Sequence, residues 1–83
     1  MTASDAGTNG ELYANYVYDL GVLVREMALE AKAKARVDGS AFDAGYVAGF
    51  HRIVSLMQQQ AEAFGIPIEK IGLDGIDPDR DLV

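Results

Sequence analysis

The 83-residue chain has no cysteine, no tryptophan, one histidine and two prolines. Without cysteine, disulfides and thiolate metal sites are excluded, and nothing suggests a secreted disulfide scaffold. A reducing, cytoplasmic setting is the natural expectation. Bases are scarce as well: seven Lys and Arg stand against 13 Asp and Glu, a formal net charge of −6. An acidic chain repels phosphate backbones, so nucleic acid is not an expected partner. Lys32, Lys34 and Arg36 form the one basic cluster, placed where cations favour a helix C-terminus. Long apolar runs are also missing. The uncharged stretches are too short to span a bilayer. The N-terminal MTASDAGTNGE lacks the basic region and apolar run of a signal peptide. A membrane is therefore not an expected partner either.

What is present is helical pattern. Residues 1–10 are small and polar and are expected to be disordered. From Glu11 to about Val37 the chain is rich in Ala, Leu, Glu, Lys and Arg and free of proline. Asp38-Gly39 reads as a turn, and Ser40 as an N-cap with Asp43 three residues on. A second helix over 41–64 meets Gly65-Ile66-Pro67, a left-handed stop followed by a residue that cannot continue a helix. The expected fold is all-α: an antiparallel two-helix hairpin over 11–65, with helices at about 11–37 and 41–64. Residues 66–83 form an extended C-terminal arm. Its Ile66, Ile68, Ile71, Leu73, Ile76 and Leu82 are more aliphatics than a solvated tail needs, so the arm is expected to pack on the helices.

Two apolar stripes compete for burial. Ala14, Gly21 and Ala28 recur every seven residues on the first helix; Val47, Val54 and Ala61 do so on the second. Paired antiparallel, these small and branched residues face each other layer by layer, so they are the expected hairpin seam. A larger stripe remains outside it: Tyr13, Tyr16, Leu20, Leu23 and Met27 on one helix, Phe42, Tyr46, Ile53 and Phe64 on the other. Both halves fall on one flank. A lone hairpin would leave that flank wet, which monomers rarely tolerate. A second copy is the expected cover, giving a homodimeric four-helix bundle.

The stretch GYVAGFH, residues 45–51, raises a related question. Gly45 and Gly49 each cost a helix about 1 kcal/mol relative to alanine. Both fall on the edge of the large flank, where bare backbone would admit a second chain, as small-xxx-small contacts do. They complete the expected dimer interface.

No catalytic, cofactor-binding or metal-binding residue is assigned. His51, Ser55, Gln58 and Glu62 share one polar helix face, but a helix interior has no free N–H groups to stabilise an oxyanion. Neither helix shows an acid within its apolar face, so a carboxylate-bridged centre of the bundle type lacks ligands. Asp77, Asp79 and Asp81 alternate like the start of a calcium loop, yet Leu82 stands where that loop needs glycine. Asp77-Pro78 reads instead as an N-cap followed by proline at the first helical position. The expected function is that of a small non-catalytic protein working through protein–protein association. One version permitted by the charge is an acidic inhibitor of a basic partner. The alternative is a helical bundle holding a small apolar ligand at the dimer core, between Tyr16, Tyr46 and Phe50 beside Gly49.

Overall fold

Helix α1 runs over Ala3–Asp38 and α2 over Ala41–Ala63, in a computed structural model that describes residues 3–83, with side chains from residue 9 onward. The expected disordered segment 1–10 lies partly outside the described residues; the described backbone is helical from Ala3, earlier than the Glu11 start that composition suggested. The two long helices pack against each other, and no strand occurs among the described residues. At 1.5 Å per residue the 36 residues of α1 reach about 54 Å. That length sets the longest dimension of the molecule, 53 Å.

Local chemistry explains the turns. Gly39 adopts a left-handed conformation (φ 63°), and its N–H donates to the Ala35 carbonyl at 2.8 Å. Ser40 caps α2: its Oγ accepts from the Asp43 N–H at 3.1 Å. At the far end Gly65 is left-handed (φ 70°). Its N–H donates to Glu62, and the Ile66 N–H donates to Ala61 at 2.8 Å. This is the two-bond Schellman arrangement, and Pro67 follows it.

Beyond Pro67 the chain turns back. A 3-10 turn spans Ile68–Ile71, and a four-residue helix α3 spans Pro78–Asp81, capped by Asp77, whose Oδ1 accepts from the Asp79 N–H. The returning segment lies in the groove between α1 and α2. Ile71, Leu73, Ile76 and Leu82 are all buried there, and Leu73 and Leu82 are among the largest fully buried side chains. They complete a core whose hairpin contribution is small: Ala28, Ala31, Val47, Val54 and Ala61. Small residues at the seam bring the helices close but leave little apolar volume, and the tail supplies it.

One crossing depends on glycine. The tail backbone passes directly over α1 at Gly21. A β-carbon there would overlap the Ile71 carbonyl, and one on Gly72 would sit 2.5 Å from the Tyr18 carbonyl oxygen. Gly21, expected in the hairpin seam, is thus buried beneath the tail. Ala14, expected beside it, is exposed. Contrary to the expectation that neither helix holds an acid within its apolar face, Asp43 is only 5% exposed. It sits in the first turn of α2, where the helix dipole favours a carboxylate. No buried side-chain polar atom among the described residues lacks a partner.

Candidate functional site

The tail divides the hairpin into two unlike sides. On the tail side four polar side chains hold the returning chain. Gln58 Nε2 donates to the carbonyls of Leu73 (3.2 Å) and Ile76 (2.9 Å). Arg25 donates to the Asp74 carbonyl at 2.7 Å and lies 3.5 Å from its carboxylate. Lys32 reaches the Val83 carbonyl. His51 Nε2 lies 2.9 Å from Asp79 Oδ1. The polar face of α2 is therefore in part a docking face, through His51 and Gln58. His51 is half-buried on it, because the tail brings a carboxylate to the imidazole. Sequence spacing could not reveal this, since the partners lie between 15 and 51 residues away.

The tail also settles which acids are occupied. Arg80 bonds both carboxylate oxygens of Asp81 at 2.9 Å, and Asp81 Oδ2 accepts from the Asp77 N–H at 2.8 Å. The Arg80 hydrogen bonds first, and that N–H second, hold the Asp81 carboxyl down to about 2. Asp77 is spent on capping α3. Among the described residues, no three His, Asp or Glu side chains converge as a metal site would need.

The opposite side carries the large stripe, and none of the described residues covers it. Tyr13, Tyr16, Leu20, Leu23 and Met27 of α1 are exposed, as are Phe42, Tyr46, Ile53 and Phe64 of α2. Exposure runs from 41% at Leu20 to 76% at Phe42 and Phe64. The aromatic rings form a ladder along α2: Phe42 and Tyr46 centroids are 6.1 Å apart, Tyr46 and Phe50 5.3 Å. Such tilted pairs stiffen the surface without hiding it.

Within this flank lies an apolar groove of about 330 Å³ lined by Val24, Gly45, Tyr46, Gly49, Phe50 and Ile53. Both glycines face open space: a β-carbon on either would meet nothing within 4 Å. None of the described residues therefore requires glycine at these positions. Of the residues expected around a ligand at a dimer core, Tyr46, Phe50 and Gly49 line this groove on the single chain. Leu56, half exposed at 50%, was not recognised from the sequence as part of this surface. Its place seven residues after Gly49, itself seven after Phe42, was the available signal.

No helix among the described residues is long and apolar enough to cross a membrane. No protein-family model, curated protein or solved structure matches the chain.

Proposed function

We propose that this is a non-catalytic protein that works through protein–protein association, and that its first partner is a second copy of itself. The observation that carries the reading is the flank of large side chains left exposed after the tail has docked on the other side. Each such side chain is worth roughly 1.5–3 kcal/mol when fully buried. Leaving nine of them half wet forgoes more than the low end of a small domain's stability, about 5 kcal/mol. A twofold copy presents an identical flank, and isologous pairing is the commonest way to bury one. The product is a four-helix bundle with a tail on each outer face.

The experiment is sedimentation equilibrium at micromolar concentration. The expected mass is twice 8.9 kDa. A folded monomer across that range would refute the reading. The groove beside Gly49 supports a second reading, a small apolar ligand held where the two flanks meet. Native mass spectrometry of freshly purified protein separates the two, since the second requires bound small-molecule mass. An acidic inhibitor of a basic protein remains a version of the association reading, supported by the net charge alone.

A further inference from the structure

We infer that the dimer forms through α2 packing antiparallel on α2 of the second copy, about a twofold axis beside Gly49. This rests on the association reading above and goes beyond it by choosing the helix and its register. Phe42, Gly49 and Leu56 recur every seven residues, the spacing of a helix–helix seam. They lie apart from the intrachain seam of Val47, Val54 and Ala61, and all three are exposed. Symmetry about Gly49 fixes every opposed pair. Gly49 meets its own copy, Gly45 meets Ile53, and Phe42 meets Leu56. The close backbone approach falls where a β-carbon is missing on both chains, and the bulky pairs close the two ends. The vacant space over both glycines is what such a contact needs.

Charge selects α2 over α1. The exposed surface of α1 carries Glu11, Asp19, Glu26, Glu30 and Asp38 against Lys34 and Arg36, a net excess of acid, whereas α2 exposes only Arg52 and Glu62, so pairing α2 with α2 brings less like charge together. The same symmetry about Gly49 sets Arg52 against Tyr46 of the second copy, a cation near an aromatic ring.

The absence of native cysteine makes the register directly testable by oxidative cross-linking. A disulfide needs α-carbons within about 7 Å. The double variant Phe42→Cys/Leu56→Cys leaves both glycines intact and should convert almost wholly to covalent dimer. Neither single variant should, because a residue at 42 or 56 lies about 21 Å along the axis from its own copy. Gly49→Leu should weaken the dimer, because it puts a side chain into the close approach. A wild-type dimer whose double variant stays unlinked would overturn the α2 pairing and leave association standing. A monomeric wild type would overturn both.

Discussion

At Gly21 a methyl group has nowhere to go, whereas at Gly45 and Gly49 it has all the room it needs. The three glycines share a helical context, so intrinsic propensity would favour alanine at each by about 1 kcal/mol. Packing decides the sign. Gly21→Ala drives a side chain into the Ile71 backbone, and overpacking of this kind costs about 1–3 kcal/mol. We expect a net loss of stability in urea denaturation. Gly45→Ala should stabilise the separated chain by up to about 1 kcal/mol at nanomolar concentration, measured the same way. His51→Ala tests the smallest contact. Its partner Asp79 is 89% exposed, so the loss should stay within about 1 kcal/mol. Of these residue-level features, Gly45 and Gly49 were legible as unusual because a helix seldom spends glycine without reason. Gly21 was misplaced because what covers it arrives from 50 residues further along the chain.

Among the elements, the tail is where burial is concentrated. Truncation after Pro67 removes Ile71, Leu73, Ile76 and Leu82, all 6% exposed or less. The truncated chain should melt at lower temperature and bind an apolar dye more strongly; equal thermal stability would contradict the packing described. Within the tail, α3 carries a pH signature. The Asp81 carboxyl is held at about 2, below its ordinary 3.8, so its contribution is present above about pH 4 and lost as pH falls through 2. The gap in melting temperature between wild type and Asp81→Asn should therefore be widest above about pH 4 and close near pH 2. Helix ends were legible because their signals are local: Ser40, Gly65 and Pro67 act on neighbours within four residues. The docking face around His51 and Gln58 was not. Polar side chains that bond a returning backbone have the same sequence pattern as polar side chains that bond water.

For the whole molecule, shape and charge matter more than any contact. The radius of gyration is 15.4 Å, against about 12 Å for a compact chain of this length. Such an elongated hairpin offers a side to a partner rather than a point. Two copies carry a formal charge of −12, twice the −6 of one. Their repulsion is screened by salt. The dimer should accordingly tighten between about 50 and 500 mM NaCl, as read from the sedimentation dissociation constant. The tail has one more effect at this scale. By filling one groove of the hairpin it leaves the large stripe as the exposed flank, and under the proposed pairing a body with one adhesive side stops growing once that side is matched. Two such sides would permit head-to-tail addition without end. On that view the C-terminal segment is a terminator of polymerisation. Losing it should turn a closed pair into open fibres or heterogeneous oligomers, which light scattering would register as mass rising with concentration.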